Sequence, residues 1–324
     1  MWGGGAALLG YYVHDLSPFL VSWHGIGVRY YGLSYVLGFL CAFWLYRWLA
    51  RHGYSPMRSD QIGEFVFLWC ALGVLIGGRL GYLLLYDRSS FLTEPWMFFA
   101  IWRGGMASHG GIMGAAVAII IYARRRGMPL FSAGDNTAVV APVGIFFGRC
   151  ANFINGELFG KATEVPWAVQ FPSELLRYNN PQKIHSILVQ ASQIRPDFSS
   201  LDTLISSIPA SSELRYLLGQ ILTPRHPSQL YEALLEGAVL FMILWLLRTR
   251  FQLPNGLLTG LFFLFYACFR FLAEAFREPD APLIVGISRG QFFSLFFIPL
   301  GIVSSLVAIS TQHHPSFFHK KPRS

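Results

Sequence analysis

Residues 148–160 read Gly148-Arg149-Cys150-Ala151-Asn152-Phe153-Ile154-Asn155-Gly156-Glu157-Leu158-Phe159-Gly160. They close a hydrophobic stretch in a 324-residue chain that is 53% hydrophobic. An arginine, two asparagines and a glutamate are costly at membrane depth. Where such groups cluster there, they usually bind something polar. Arg149 carries a permanent, forked charge suited to phosphate or carboxylate. Arg149 and Asn152 stand three apart, on one side of a helix end.

Two further centres share this character. His109 sits within Gly104-Gly105-Met106-Ala107-Ser108-His109-Gly110-Gly111. A lone histidine in a span is often a packing residue, but the glycines open the backbone around it. An imidazole with a reference pKa of about 6.5 suits proton transfer near neutrality. Tyr266, Arg270, Glu274 and Arg277 are spaced i, i+4, i+8 and i+11, which predicts one polar helical face. Such a face must meet a cavity or other helices, and an internal Arg270–Glu274 ladder is the plainer alternative. Gln229, Glu232 and Glu236 share another face, with pairing to the arginines as their structural reading. Arg79, among Gly77, Gly78 and Gly81, either snorkels outward or pairs inward. His109, Arg149 and Arg270 face no obvious equal number of acids, so an anionic ligand is the economical explanation.

The elements that must position these residues are membrane spans. Charged residues make up only 13% and mean hydropathy is +0.44, a multi-span profile rather than a soluble one. The pattern predicts an all-α polytopic fold with about seven transmembrane helices. They cover roughly 28–49, 61–86, 97–123, 134–154, 228–248, 256–276 and 289–311. Basic segments follow the first, third, fifth and seventh spans: Arg47, Arg51 and Arg58; Arg124, Arg125 and Arg126; Arg248 and Arg250; Lys320, Lys321 and Arg323. The positive-inside rule then places the N-terminus outside and the C-terminus in the cytoplasm. Topology accounts for most of the net charge of +8, so nucleic acid is not an expected partner. Residues 1–28 lack the basic start and cleavage site of a signal peptide.

The chain reads as a single integral membrane domain, 1–324. A proline-containing external segment, 155–226, is inserted between spans four and five. A loop of that length is usually functional. Gly73/Gly77/Gly81, Gly110/Gly114 and Gly144/Gly148 allow close helix packing in lipid. Cys41, Cys70, Cys150 and Cys268 fall in apolar spans without metal-ligand spacing and read as small buried hydrophobes. No metal or other cofactor is expected.

With these residues in place, the chain resembles the prolipoprotein diacylglyceryl transferase family. Five ordered motifs carry the likeness: Gly78-Arg79-Leu80-Gly81-Tyr82; His109-Gly110-Gly111; Gly148 to Gly160; Arg225-His226-Pro227-Ser228-Gln229-Leu230-Tyr231-Glu232; and Phe269-Arg270-Phe271 with Phe276-Arg277-Glu278-Pro279-Asp280. They run from about Arg29 to Gln291, most of the chain. The resemblance implies a multi-pass enzyme of the bacterial plasma (inner) membrane acting in lipoprotein biosynthesis. It would move the diacylglyceryl group of phosphatidylglycerol to the lipobox cysteine of a preprolipoprotein signal peptide. A thioether would form and glycerol 1-phosphate would leave. Arg149 would bind the lipid phosphate, Arg270 would be a second essential arginine, and His109 would be catalytic. Tyr31, Asn152, Glu157, Gly160, Tyr266 and Glu274 match other functionally important family positions.

Two departures stand out. The segment between Phe171 and Arg225 is longer than the family pattern, and Ala151 stands where the family often has glycine. The competing readings are a transporter or flippase for an anionic lipid or solute, and a non-catalytic scaffold. The first predicts pseudo-symmetric halves, which the sequence lacks.

Overall fold

The computed structural model describes residues 10–23, 26–100, 105–177, 181–195, 200–279 and 282–311. The start of the chain and the basic tail at Lys320, Lys321 and Arg323 lie outside them. In chain order the elements are β1 (Tyr12–Val13), β2 (Phe19–Trp23), β3 (Ile26–Arg29), α1 (Tyr30–Arg51), α2 (Glu64–Leu85), α3 (Arg88–Thr93), α4 (Ser108–Arg126) and α5 (Leu130–Ile154). There follow β4 (Val169–Gln170), α6 (Pro181–Ile194), α7 (Leu201–Ser207), α8 (Ser212–Ile221), β5 (Pro224–Arg225), α9 (Ser228–Arg250), α10 (Leu257–Glu274) and α11 (Arg289–Thr311).

Among the described residues, six helices are long and apolar enough to cross a membrane: α1, α2, α5, α9, α10 and α11. This is a helical, multi-pass membrane protein. The remaining expected span, 97–123, is the helix α4. It begins later than its apolar pattern suggests and is weakly apolar. Ser108-His109-Gly110-Gly111 opens it and three arginines close it. Two spans are not uniformly α-helical. π-helical turns occupy Glu64–Cys70 in α2 and Ala233–Val239 in α9. Such widened turns often accompany functional positions.

The chain divides into two compact units. The first comprises Met1–Ser34, Gly148–Ala233 and Ala273–Asp280; the second comprises Tyr35–Phe147, Leu234–Leu272 and Ala281–Ser324.

In the first unit β1 pairs parallel with β4, matching Tyr12 to Val169, and β4 pairs antiparallel with β5, matching Val169 to Arg225. β2 and β3 form a separate hairpin. The segment that reads as an external loop contains three helices with their own core. Ile187 and Ala191 of α6 are spaced i, i+4, as are Leu214 and Leu218 of α8. This places each pair on one face. They pack with Leu204 and with Val13 from β1. Serine caps start two of the helices: Ser200 accepts from the Thr203 amide and Ser211 from the Leu214 amide.

In the second unit Tyr46, Phe65, Tyr122, Leu240, Leu258 and Phe262 form part of a continuous apolar core. α2 and α4 touch backbone to backbone. A Cβ on Gly77 would lie 2.7 Å from Gly114 Cα, and one on Gly81 2.8 Å from Gly110 Cα. The third glycine pair behaves differently. Side chains added at Gly144 or Gly148 would meet nothing within 4 Å among the described residues. α5 also supplies a cap for another helix. Buried Asp135 accepts from the amides of Gly256 and Thr259 and from the Thr259 hydroxyl, each at 2.8 Å. This satisfies donors that the start of α10 would otherwise leave exposed to lipid.

Gly77→Val should therefore destabilise the protein by about 1–3 kcal/mol or more, the usual cost of overpacking. Gly144→Ala should be close to neutral. Thermal unfolding in detergent, with both variants beside the parent, checks the contrast.

Candidate functional site

In the first unit, α5 ends at the polar signature. Arg149 Nη1 lies 2.6 Å from Glu232 Oε2, and Arg277 Nη1 lies 3.1 Å from Glu232 Oε1. All three side chains are buried. One carboxylate thus bridges two guanidiniums. Removing either charge type from such a buried group leaves the other uncompensated.

Arg277 does not extend the polar face of α10. The helix ends at Glu274. The Phe276 and Arg277 amides then bond back to Ala273 and Glu274 at 3.1 and 3.2 Å. That turn brings Arg277 into a backbone bridge with Gly160. The i+11 spacing was right for a helix that does not continue. Glu274 itself is buried at the helix end.

The signature then makes a tight loop. Asn152 Nδ2 donates to Glu157 Oε1 at 2.7 Å, and Asn155 reaches the same oxygen at 3.4 Å. Gly156 takes φ 65° and Leu158 φ 59°. The left-handed region is easy for glycine and costs a leucine about 1–2 kcal/mol. The Ser228 hydroxyl donates to the Leu158 carbonyl at 3.0 Å, and Gln229 Nε2 donates to the Glu157 carbonyl at 2.6 Å. The Ser173 hydroxyl donates to the Gly156 carbonyl. Gly160 has a steric role. A Cβ there would lie 2.6 Å from both His226 Cβ and the Phe276 carbonyl oxygen. Arg225 reinforces the same region through Glu174 at 2.8 Å and the Gly160 carbonyl at 3.2 Å. Tyr31 lies half-buried in the first turn of α1.

In the second unit, Arg270 Nη1 lies 3.2 Å from Glu236 Oε1. His109 is buried at the start of α4 against an aromatic wall. Its ring stacks on Phe297 at 5.3 Å, with Phe293 at 5.6 Å and Tyr266 edge-on at 6.4 Å. His109 Nε2 is 3.3 Å from Ser294 Oγ, and the Ser294 hydroxyl bonds the Gly290 carbonyl at 2.8 Å. Gly290 also makes room for the arginine: a Cβ there would lie 2.7 Å from Arg270 Nη2. One turn of α11 therefore touches both His109 and Arg270. Gly290 and Ser294 were missed in the sequence. Their only signal is a glycine and a serine four apart in a phenylalanine-rich run.

Arg79 turns inward. It donates to the Met97, Ala100 and Gly105 carbonyls at 2.7, 3.1 and 3.2 Å. Glu232 serves Arg149 and Arg277, and Glu236 serves Arg270, so two carboxylates meet three guanidiniums. Among the described residues no group of three His, Cys, Asp or Glu side chains is placed to hold a metal.

Taken unit by unit, the geometry defines a helical membrane protein with arginine–carboxylate clusters buried at the polar ends and faces of its spans. The sequence model of the prolipoprotein diacylglyceryl transferase family matches residues 18–307, and the chain belongs to that family. Similar relatives carry the name phosphatidylglycerol–prolipoprotein diacylglyceryl transferase. That of Rhodospirillum rubrum is 38% identical, with 90% of this chain and 92% of the relative covered. That of Bdellovibrio bacteriovorus is 36% identical, covering 91% and 93%. That of Vibrio atlanticus is 36% identical, covering 93% of each.

Two outcomes follow from this geometry. Glu232→Ala should cost about 3–5 kcal/mol, because it strands buried guanidiniums, and a lowered melting temperature in detergent would register it. The second concerns His14, whose ring packs on Phe153 and Phe171 at 5.4 and 5.5 Å. Burial holds its pKa below the ordinary 6.5. The unfolded chain binds that proton more readily, so the contribution to stability is present above pH 6.5 and is lost as pH falls. Melting temperatures measured from pH 8 down to pH 5 should decline, and His14→Gln should flatten the decline.

Proposed function

We propose that this protein transfers the diacylglyceryl group of phosphatidylglycerol to the lipobox cysteine of preprolipoproteins, at the outer face of the bacterial plasma membrane. The observation that carries the reading is the family likeness spanning residues 18–307. It encloses every polar centre described above. The relatives' names supply the lipid donor and the prolipoprotein acceptor. No observation among the described residues favours an anionic-lipid or solute transporter.

The chemistry is a substitution at carbon. The cysteine sulfur attacks a glycerol carbon of the lipid, the carbon–oxygen bond to phosphate breaks, and glycerol 1-phosphate departs with that electron pair. A thiol has a pKa of about 8.5 and reacts as its thiolate. In this reading His109 accepts the thiol proton, and its aromatic wall fixes the ring. Arg149 meets the phosphate as charge builds on it, and Arg270 is the second arginine the reaction needs. Guanidiniums oriented in advance by Glu232 and Glu236 would need little reorganisation, and each such contact is typically worth a few kcal/mol. A guanidinium has five donors in a rigid fork, so a carboxylate partner need not exhaust it.

Tyr31, Asn152, Glu157, Gly160, Tyr266 and Glu274 complete the substrate-binding set, Asn152 and Glu157 as a bonded pair and Gly160 as a close-approach point. The proposed topology has seven crossings, with α4 as the third, the N-terminus outside and the C-terminus in the cytoplasm. Residues 155–226 then form an external insertion, on the side where secreted signal peptides present their cysteine. The basic segments after the odd-numbered spans support that orientation.

Purified protein given phosphatidylglycerol and a lipobox peptide should release glycerol phosphate and add diacylglyceryl mass to the peptide. Arg149→Ala and Arg270→Ala should lower the rate by ~10²-fold or more, and His109→Gln by ~10²–10⁴-fold near neutral pH. Absence of both products from folded wild-type protein, beside an active control enzyme, would reject the reading.

A further inference from the structure

We propose that Ser228 and Gln229 are positioning residues that lock the strained Glu157–Leu158 turn and so hold Asn152 and Arg149 in working geometry. This rests on the transferase reading above for its catalytic readout, but the lock itself is a statement about the fold.

The argument begins at Leu158. Its φ of 59° is one of two positive values among described non-glycine residues. A leucine left to itself would leave that conformation. Two side chains oppose the change, and they are neighbours at the start of α9. Ser228 Oγ holds the Leu158 carbonyl at 3.0 Å, and Gln229 Nε2 holds the Glu157 carbonyl at 2.6 Å. Both residues are essentially fully buried. The strands on either side are already pinned. The Gly160 amide bonds the His226 carbonyl at 2.9 Å, and the Lys161 amide bonds the Phe276 carbonyl at 2.9 Å. The Glu157 amide bonds the Asn152 carbonyl at 3.1 Å. The peptide planes of Glu157 and Leu158 lie between these fixed points and take their direction from Ser228 and Gln229.

The consequence reaches the site through two short routes. The Glu157 side chain accepts from Asn152 at 2.7 Å, one turn beyond Arg149 on α5. Three residues past Gln229 on α9 stands Glu232, which pairs with Arg149 at 2.6 Å. The same turn of α9 therefore sets both the loop carbonyls and the carboxylate that orients Arg149. Substitutions in this turn should disturb alignment more than lipid capture. Strain stored at such positions is maintained only where the surroundings over-determine it.

The test is a rescue. Gln229→Met keeps the volume and removes the donor. It should lower kcat by ~10-fold or more while changing KM for phosphatidylglycerol less than ~3-fold. Ser228→Ala should act in the same direction. Adding Leu158→Gly, which accepts positive φ without penalty, should recover at least ~3-fold of the lost kcat. A side chain that merely touches lipid would not be rescued by a glycine at 158. A raised KM with unchanged kcat, or no recovery in the double variant, overturns the proposal.

A second readout needs no turnover. Amide hydrogen exchange across residues 153–162 should quicken by ~10-fold or more in Gln229→Met, and unchanged exchange would equally overturn the lock. If wild-type protein transfers no lipid, the transferase reading fails on its own, while exchange still decides the lock.

Discussion

A guanidinium buried at the end of a membrane span must be met by acceptors, and much of this fold is arranged around that requirement. Transferring an isolated charge out of water costs far more than any single contact returns. Five of the described arginines are nevertheless buried: Arg79, Arg149, Arg248, Arg270 and Arg277, with Arg248 bonded to the Tyr54 carbonyl. Two different solutions are used. Arg149, Arg270 and Arg277 are met by the carboxylates of Glu232 and Glu236, residues four apart in α9. Arg79 is met by backbone carbonyls at 97, 100 and 105. The first solution pairs charge with charge. The second spends the charge on shaping a loop.

Glycine placement follows from the same requirement. Where arginines and their partners converge, backbone has to approach backbone, and Gly160 and Gly290 stand where any side chain would collide with a neighbour. The glycines of α2 and α4 serve the plainer purpose of helix packing. A Cβ on Gly144 or Gly148 would itself meet nothing, yet the Gly144 backbone is what a Cβ on Gly38 would strike, 3.1 Å from Gly144 Cα. Small residues spaced four apart permit close packing, and which of them achieve it depends on what the fold brings alongside.

Much of this was legible beforehand. Apolar runs bounded by arginines marked the spans, α11 to its ends at Arg289 and Thr311. The buried status of Arg149, Arg270, Glu232 and Glu236 followed from the cost of charge in hydrocarbon. Four things were not legible. The start of α4 lies at Ser108, later than the apolar pattern from 97 onward indicates. Arg277 was drawn onto a helix that had already ended, since periodicity carries no stop signal there. The partners Ser294 and Gly290 come from a distant span, and pairing across 185 positions leaves no local trace. The helices of 181–221 were likewise hidden by a polar, proline-marked composition that suggested loop.

The cap that Asp135 provides has a consequence for how the chain is made. Its acceptors look for amides that come 121 and 124 residues later in the chain. At ordinary synthesis rates of about 5–20 residues per second, that separation is on the order of ten seconds. Throughout that interval α5 carries an acid whose native donors do not yet exist. The native partners of this carboxylate are therefore complete only once the start of α10 has been made, and until then other groups must meet it.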